Sequence, residues 1–306
     1  MTPGGELRRN PVSGKLVIVA PARAQRPAGE KRAGDAPPQC PFCAGHEAMT
    51  PPEVDAVRPA GGGPDGPGWT IRVVPNKFPA LAGRHEVIVH SPAHDAELED
   101  LGDERLADVL AMWKRRIDAQ LSSGAAAATL IGNLGAGSGA SLEHPHEQLF
   151  ATPVVPPLLL DELLEVERHR NRYGTCAVCD QIEQAGDRRV LDGPVAAWVP
   201  EAGRFNGELW LAPAGHQADF READAASLAP ALRRALTAVK TAAAGAPLNF
   251  WLHTAPAELR GPFHWHIEIA PRTSTLAGFE LGSDIAVVTK DPVVAAAEYR
   301  AVLPPD

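Results

Sequence analysis

The chain has 306 residues, 44% of them hydrophobic, which is enough to form one large folded domain or two of ordinary size. Its formal net charge of −9 argues against a surface that coats nucleic acid, because phosphate-backbone affinity needs clustered Lys and Arg, although a few local arginines could still bind a small phosphate ester. No apolar run approaches the roughly 18 residues that span a bilayer, and the N-terminal MTPGGELRRNPVSG lacks the apolar centre of a signal peptide, so we expect a cytoplasmic protein with no membrane partner.

The first half of the chain predicts a strand, a helix and a second strand in that order. EVIVHSPAH, residues 86–94, alternates as a strand does, and LIGNLGAGSGASLEHPHEQL, residues 130–149, carries the later strand and a His-x-His. Between them, DERLADVLAMWKRRIDAQL has apolar side chains at helical spacing, namely Leu106, Val109, Leu110, Trp113 and Ile117. Residues 24–39 and 57–68, rich in Gly, Pro and Ala, predict surface loops.

The same order of elements recurs in the second half. ELWLAPAGH, residues 208–216, repeats the strand that ends in histidine, and LNFWLHTAPAELRGPFHWHIEI contains another apolar strand and another His-x-His. Helical spacing relates Leu228, Leu232, Leu236 and Val239. Corresponding residues lie at similar offsets: 136 for the first cysteines (176 minus 40), 122 for the lone histidines (216 minus 94) and 120 for the His-x-His (264 minus 144).

These repeats predict an α+β fold built from two copies of one unit, residues 1–155 and 156–306. Strand, helix and strand inside each copy suggest a mixed sheet with helices packed on it. The joint lies near residues 153–175, where LLLDELLEVERHRNRYG predicts a helix that connects the halves.

Each half contains a possible set of metal ligands. In a cytosolic chain, close cysteine pairs suggest metal ligation or redox chemistry before structural disulfides. Adding the lone histidine and the first histidine of the His-x-His completes two Cys2His2 sets, Cys40, Cys43, His94 and His144, and Cys176, Cys179, His216 and His264. Zinc prefers four such ligands, and a set with no open position is structural. The second half could instead use His253 and His266 around a different metal.

The sequence GASLEHPHEQLF, residues 139–150, places His144, His146 and Gln148 at strict alternation. On one strand these three side chains would share a face. If His144 binds zinc, the neutral imidazole of His146 can act as a nucleophile, provided that its other nitrogen donates to an acceptor. Gln148 can donate a hydrogen bond to an oxygen that gains charge. This row favours nucleotidyl transfer, and the alternative is a hydrogen-bonded core histidine at position 146.

The glycines of residues 132–141 do not predict a dinucleotide-binding loop, because that motif leads into a helix and this segment leads into the histidine row. Main-chain N–H groups next to Ser141 could approach phosphate oxygens. The alternative is a plain loop.

Five segments together resemble the galactose-1-phosphate uridylyltransferase family, a branch of the histidine-triad superfamily. They are CPFC (40–43), VVPNKFPAL (73–81), SPAH (91–94), GASLEHPHEQ (139–148) and HWHIEIAPR (264–272). The resemblance implies two tandem histidine-triad-like units, each a mostly antiparallel sheet with packed helices. The first unit would be catalytic through its HPHxQ box. The second would be degenerate, because Glu268 stands where the first has Gln148, and a carboxylate repels phosphate.

The resemblance also implies a ping-pong reaction and a set of site residues. His146 would attack the α-phosphorus of UDP-glucose, expel glucose 1-phosphate and hold UMP until galactose 1-phosphate collects it. Gln148 and Ser141 resemble the phosphate-contacting partners of that histidine. Positions that resemble nucleotide, phosphate or sugar contacts are Arg23, Arg26, Asn76, Phe78, Asn133 and Glu280, the last often across a homodimer interface.

Two residues depart from the family pattern. Glu147 stands where the uridylyltransferases mostly carry a small residue, and on a strand it would face away from His146. Ser274 lies near a place where some members direct a basic residue toward the sugar phosphate. The identity of the acceptor is therefore open.

Several functions compete. The leading hypothesis is a hexose-1-phosphate uridylyltransferase that acts on a nucleotide sugar and a sugar phosphate. The alternative is a nucleotide-sugar phosphorylase of the ADP-glucose type, or a dinucleoside-polyphosphate phosphorylase, in which inorganic phosphate collects the nucleotide. A non-catalytic sensor of nucleotide sugars and a histidine-triad hydrolase are less favoured, the first because His146 and Gln148 are both present and the second because Gln148 replaces the last histidine of that triad.

Overall fold

Ten strands of the described part of the chain join into one antiparallel sheet. The computed structural model describes residues 4–25, 39–258 and 261–304. A separate hairpin contains β1 (Glu6–Arg9) and β2 (Leu16–Val19). The large sheet contains β3 (Asp55–Val57), β4 (Ile71–Pro75), β5 (His85–Val89), β6 (Ala127–Leu134), β7 (Glu147–Thr152), β8 (Arg189–Leu191), β9 (Val195–Trp198), β10 (Leu209–Pro213), β11 (Leu248–His253) and β12 (His266–Pro271). Their spatial order is β3-β4-β5-β7-β6-β11-β12-β10-β9-β8.

The sheet shows the repeat directly. Counted from either edge toward the centre, the order is β3-β4-β5-β7-β6 in one half and β8-β9-β10-β12-β11 in the other, and the halves meet where β6 pairs with β11. The antiparallel sheet with packed helices that the resemblance implies is confirmed. The mixed sheet suggested by strand, helix and strand alone was wrong for the described strands, since every pair in the sheet is antiparallel. The reason is that the helix after β5 leads to β6, and β7 lies between those two strands. The division at residues 155 and 156 stays a prediction.

Six α-helices accompany the sheet in the described part of the chain. They are α1 (Asp103–Ser122), α2 (Pro157–Tyr173), α3 (Ala177–Glu183), α4 (Ala225–Ala242), α5 (Gly278–Ser283) and α6 (Pro292–Val302). Single 3-10 turns lie at Pro21–Gln25, Glu47–Met49, Leu98–Asp100, Gly186–Arg188 and Phe220–Glu222. The α2 helix is the predicted connection between the halves, and it ends at Gly174, whose φ of 78° suits glycine.

The two predicted amphipathic helices, α1 and α4, pack against each other and against one face of the sheet. All nine apolar positions identified by their spacing are buried in this core: Leu106, Val109, Leu110, Trp113, Ile117, Leu228, Leu232, Leu236 and Val239. Trp113 stacks on Phe250 of β11 with ring centroids 5.8 Å apart. Burial of each large apolar side chain contributes about 1.5–3 kcal/mol before the cost of ordering it. The helices therefore cover one face of the sheet.

Strand β5 shows how the two faces differ. Ile88 belongs to the core under the helices, and the Glu86 carboxylate accepts hydrogen bonds from Arg116 (2.7 Å) and Gln120 (2.6 Å) of α1. Val87 and Val89 point to the other face, where they pack with Phe42 from the CPFC segment. The second face is thus free of these long helices, and it carries the cysteine loop and the His-x-His of the first half.

Loops lie outside this sheet, as the composition predicts for residues 57–68. Strand β3 ends at Val57, and residues 59–65 are exposed. Most of the other predicted loop, residues 24–39, lies outside the described residues. Within the described chain, no helix is both long enough and apolar enough to cross a membrane.

Candidate functional site

A pocket lies on the second face of the sheet, at the point where β5 and β7 pair. Its lining includes Phe42, Asn76, Lys77, Phe78, Ser141, His146 and Gln148. Apolar side chains and three proline rings make up most of the remaining wall, namely Pro41, Met49, Pro51, Val74, Pro75, Val87 and Leu142. Such a wall suits the apolar faces of a base and a ribose, and the same pocket contains His146 and the other polar side chains.

His146 meets the requirement set for a nucleophilic imidazole. Its Nδ1 lies 2.8 Å from the main-chain oxygen of His144, which can only accept, so the neutral ring carries its proton on Nδ1 and its lone pair on Nε2. Phe42 packs edge-on against the ring with centroids 5.1 Å apart. The sequence had suggested that His144, His146 and Gln148 lie on one strand. Strand β7 begins at Glu147, so the two histidines precede the strand.

Gln148 lies on β7 opposite Val87 and lines the same pocket. Its Oε1 is 3.0 Å from Nε2 of His85, a residue that the sequence analysis did not select. His85 opens β5 and alternates with Val87 and Val89, so its position on the pocket face follows from strand periodicity. Only its contact with Gln148 marks His85 as part of the site, and that contact cannot be predicted without knowing the register of β5 and β7.

The segment around Asn76 forms the rim of the pocket. The Oδ1 atom of Asn76 accepts the N–H of Phe78 at 2.8 Å, and the side chain of Arg23 donates to the oxygen of Phe78 at 2.6 Å. Arg23 therefore holds this rim in place. Lys77, an exposed residue that the sequence analysis passed over, brings a positive charge to the pocket.

The first Cys2His2 set comes together in the structure. Cys40, Cys43, His94 and His144 place their ligand atoms within 4.8 Å of one another. The sulfur of Cys40 is 3.5 Å from Nδ1 of His144, and that of Cys43 is 3.4 Å from Nδ1 of His94 and 3.7 Å from Nδ1 of His144. Zinc with Zn–S near 2.3 Å and Zn–N near 2.1 Å at tetrahedral angles separates S from N by about 3.6 Å. These residues can hold a metal ion and suit zinc.

The hydrogen bonds and charges of this set agree with metal binding. His144 donates from Nε2 to the main-chain oxygen of Ser91 at 2.8 Å, which leaves Nδ1 as the ligand atom. Burial, with a smaller contribution from His94, lowers the pKa of His144 to about 4, so the ring is neutral. Burial and Cys40 raise the pKa of Cys43 to about 11 in the absence of a cation.

The second Cys2His2 set repeats the first. Cys176 and Cys179 each place sulfur 3.5 Å from Nδ1 of His264, and His216 completes the group within 4.8 Å. Nε2 of His264 donates to the oxygen of Pro213 at 3.1 Å, as His144 does to Ser91. Burial lowers the pKa of His264 to about 4, and burial together with Cys176 raises that of Cys179 to about 12.

The alternative ligands of the second half form a separate cluster. His253 and His266 lie within 4.8 Å of the carboxylates of Glu162 and Glu268. Nδ1 of His253 is 2.9 Å from Glu162, and Nε2 of His266 is 3.5 Å from Glu268. The cysteines and the alternative histidines thus belong to different groups, and each group could hold a cation.

The second His-x-His occupies surroundings unlike those of the first. His266 donates from Nδ1 to the oxygen of His264 at 3.0 Å, which repeats the bond of His146. Burial alone would raise the pKa of Glu268, but His266, His253 and Arg204 hold it well below its usual range. A buried negative charge therefore stands beside His266, where Gln148 stands beside His146, and it opposes a phosphate there.

Glu147 faces away from His146, as predicted. Its carboxylate is 2.8 Å from Nδ1 of His90, both side chains are fully buried, and Nε2 of His90 donates to the oxygen of Ala96 at 2.9 Å. Burial alone would lower the pKa of His90, but Glu147 raises it above its ordinary value of 6.5. An ion pair thus lies directly behind the HPHxQ box.

Two further predicted substrate contacts in the described chain, Asn133 and Glu280, are not among the residues that line this pocket. Asn133 lies on β6, where its Oδ1 accepts from Nδ2 of Asn249 at 2.6 Å. Asn249 was not predicted, because its contact depends on pairing between the two halves. Glu280 lies in α5 and accepts the N–H of Ala277 at 3.0 Å. Arg26 lies outside the described residues.

Comparison with known proteins gives relatives of two activities. The sequence profile of the galactose-1-phosphate uridyl transferase N-terminal domain matches residues 76–156. An ADP-glucose phosphorylase from Arabidopsis thaliana is 32% identical over 91% of this chain and 87% of its own length. A galactose-1-phosphate uridylyltransferase from Streptomyces lividans is 31% identical over 72% of this chain and 60% of its own.

A solved structure extends the similarity to the whole fold. The crystal structure of an ADP-glucose phosphorylase from Arabidopsis thaliana with bound ADP-glucose matches with a TM-score of 0.81 and 28% identity. The match covers 98% of this chain and 100% of that one. The antiparallel sheet and its packed helices are therefore a fold already solved in a protein with bound ADP-glucose.

Proposed function

This chain belongs to the galactose-1-phosphate uridylyltransferase family of the histidine-triad superfamily, and we propose that it transfers the nucleotidyl group of a nucleotide sugar through a covalent intermediate on His146. The observation that carries this proposal is the bond between Nδ1 of His146 and the oxygen of His144, which leaves the ring's lone pair on Nε2 in a pocket that also contains Gln148. The chain is thus a nucleotidyltransferase whose donor and acceptor are inferred below.

The first half-reaction forms one bond and breaks one. Nε2 of His146 attacks the α-phosphorus, the bond from phosphorus to the sugar-phosphate oxygen breaks, and the sugar 1-phosphate leaves as a stable anion. The Nδ1 proton stays on the ring, and the His144 oxygen stabilises the positive charge that the imidazole gains. Because the leaving group needs no strong acid, an amide at position 148 suffices where a poorer leaving group would require an acidic group.

Other groups around the pocket would hold the phosphates. The Gln148 amide and the N–H groups near Ser141 would donate to the α-phosphate oxygens, and Lys77 would neutralise part of their charge. Asn76, Phe78 and the rim that Arg23 anchors would contact the nucleoside. Asn133, Arg26 and Glu280 would contribute the remaining substrate contacts, the last from a partner chain in a homodimer.

The two metal groups would each bind one zinc ion. The S–N distances of both sets fit tetrahedral coordination, and four protein ligands leave no position for a substrate. When bound, zinc supplies structural cross-linking rather than chemistry. The set in the first half would thereby fix His144 two residues from His146.

For the second half-reaction, the relatives favour inorganic phosphate as the acceptor and ADP-glucose as the donor. The ADP-glucose phosphorylase matches 87% of its own length, whereas the Streptomyces uridylyltransferase matches 60%. In this reaction a phosphate oxygen attacks the nucleotidyl phosphorus, the N–P bond to His146 breaks, and ADP is released. Transfer from UDP-glucose to a sugar-phosphate acceptor, the leading hypothesis from the sequence, is the second candidate and is supported by the matching N-terminal profile.

The first experiment is intact-protein mass spectrometry after brief incubation with ADP-glucose and, separately, with UDP-glucose. We expect an adenylyl adduct that inorganic phosphate discharges. His146→Ala should form no adduct, and His266→Ala, the equivalent change in the second half, is the matched control that should still form one.

Each result identifies a different reaction. A uridylyl adduct that only galactose 1-phosphate discharges would establish the second candidate instead. Absence of an adduct from both donors, or an adduct that persists in His146→Ala, would overturn the proposed intermediate.

Location in the cytoplasm stays a prediction.

A further inference from the structure

We propose that His85 is a positioning residue that fixes the side-chain amide of Gln148 with its NH2 group toward the reacting phosphate. This inference rests on the proposed function, because it assigns a role within the same nucleotidyl transfer. His85 is 2% exposed and lies on β5, next to β7. It contacts Gln148 but is not part of the pocket lining, so it would act through Gln148 rather than on the substrate.

The neighbours of Nδ1 decide the tautomer of His85. The main-chain N–H of Ala80 lies 3.1 Å from Nδ1, and because a main-chain N–H can only donate a hydrogen bond, Nδ1 must accept it. The guanidinium of Arg23, also a pure donor, has its Nη1 3.5 Å from the same atom. A proton on Nδ1 would face both donors. The imidazole therefore carries its proton on Nε2.

That proton determines the orientation of the amide. Nε2 of His85 lies 3.0 Å from Oε1 of Gln148, so the ring donates and the amide oxygen accepts. The amide nitrogen of Asn76 is also 3.1 Å from Nε2. When the proton is on Nε2, both atoms are donors, so this contact is not a hydrogen bond. With Oε1 bound to His85, the two N–H groups of Gln148 remain to serve the pocket. The reversed amide would direct a partial negative charge at the phosphate.

The ring of His85 is itself held in place. Phe150 of β7 stacks on it with centroids 3.9 Å apart and planes inclined by 26°. The Ala80 N–H and Arg23 both belong to segments that border the pocket rim. A donor fixed by packing on one side and by hydrogen bonds on the other costs little reorganisation during the reaction.

The second half offers an internal comparison. Val87 pairs with Gln148 across β5 and β7, and Trp210 pairs with Glu268 across β10 and β12. Two residues before Val87 is His85, and two residues before Trp210 is Glu208. Burial and the neighbouring Glu268 raise the pKa of Glu208 to about 7. The half that has Glu268 at the position of the amide thus also lacks a histidine at the position of His85.

The test is a double-mutant cycle on the rate of nucleotidyl-enzyme formation in a single turnover. His85→Phe keeps a ring for Phe150 but removes both nitrogens, and we expect the rate to fall about 10–100-fold, as for other residues that orient a reacting group. The dissociation constant of the donor nucleotide sugar should change far less. His85→Gln, which can still place an amide N–H near Oε1, should recover part of the rate.

The cycle is completed in a Gln148→Ala background, where His85→Phe should have almost no further effect because its target is gone. Ile88→Val, on the same strand but in the core under the helices, is the control for lost stability and should leave the rate unchanged. Nitrogen-15 spectra of the imidazole should show the wild-type ring protonated on Nε2.

The outcomes separate this inference from the proposed function. If wild-type protein forms the adduct and His85→Phe forms it equally fast, or if the two substitutions multiply independently, the positioning role is wrong. If the spectra show the proton on Nδ1, the orientation argued for Gln148 is wrong whatever the activity. If wild-type protein forms no adduct with either donor, the proposed function itself has failed, while the spectra still decide the tautomer.

Discussion

At the scale of single residues, the site is organised by main-chain groups that fix histidine tautomers. The oxygen of His144 selects the Nδ1 proton of His146, the oxygen of Ser91 selects the Nε2 proton of His144, and the N–H of Ala80 excludes an Nδ1 proton on His85. Each of the three imidazoles thereby carries its proton on the nitrogen that its proposed role requires, that of a nucleophile for His146, a metal ligand for His144 and a hydrogen-bond donor for His85. Each of these bonds is made with a main-chain atom, so the backbone determines which nitrogen of each histidine carries the proton.

The His90–Glu147 pair leads to a prediction of pH dependence. Because the folded pKa of His90 is raised above its ordinary value of 6.5, the stability from this pair is fully present below that value and is lost as pH rises through the folded pKa. We expect Glu147→Gln to lower the free energy of unfolding by roughly 3 kcal/mol at pH 6, because one partner of a buried pair is removed. The loss should shrink at pH 9.

Denaturant unfolding of both proteins across this pH range measures the difference. Glu167→Gln, which changes an exposed carboxylate on α2, is the matched control and should be close to wild type at every pH. A Glu147→Gln deficit that is the same at pH 6 and pH 9 would contradict a charged His90.

At the scale of elements, periodicity and repetition in the sequence predict most of the architecture. The spacing of Leu106 to Ile117 and of Leu228 to Val239 predicts the two long helices, and the offset between the halves predicts both Cys2His2 groups before their geometry is known. These features depend on local spacing or on repetition along the chain, so they can be predicted from the amino-acid sequence alone.

Strand register is the part that the linear pattern does not contain. The contact of His85 with Gln148 requires β5 to pair with β7, and that of Asn133 with Asn249 requires β6 to pair with β11. At Gly132, a Cβ atom would lie 2.0 Å from the ring of Phe250 across that same junction. Glycine is needed there for a reason that lies more than a hundred residues away in the chain.

The two metal groups lead to a paired prediction about elements. Wild-type protein should contain two zinc ions per chain, and Cys40→Ser and Cys176→Ser should each leave one. Cys40→Ser should also slow nucleotidyl transfer at least about tenfold, because its group holds His144, and the adjoining Phe42 packs on His146.

Cys176→Ser serves as the matched control, since its group lies beside the second His-x-His, and it should retain most of the transfer rate. Metal content by mass spectrometry and single-turnover rates measure both effects. Equal loss of rate in the two variants would show that the first group acts through overall stability and not through the position of His146.

At the scale of the whole molecule, the sheet makes one body of two unequal halves. Strands β6 and β11 pair over five residues, and α1 packs on α4 across the same junction. The second half therefore supports the first, most directly where Asn249 holds the side chain of Asn133.

The last prediction concerns the homodimer that the family resemblance implies. Residues 276–288 expose six large apolar side chains, Leu276, Phe279, Leu281, Ile285, Val287 and Val288. Single exposed apolar residues are ordinary, but a run of six in one segment is typical of a surface that another chain covers. Glu280, the predicted sugar contact, lies in this segment and away from the His146 pocket of its own chain.

We expect light scattering after size exclusion to give twice the mass of one chain, and Phe279→Asp with Leu281→Asp to halve it. Val12→Asp, at an exposed apolar residue in the turn between β1 and β2, should leave the dimer intact. A wild-type protein that elutes with the mass of one chain would exclude the dimer, and Glu280 could not then reach a pocket from a partner.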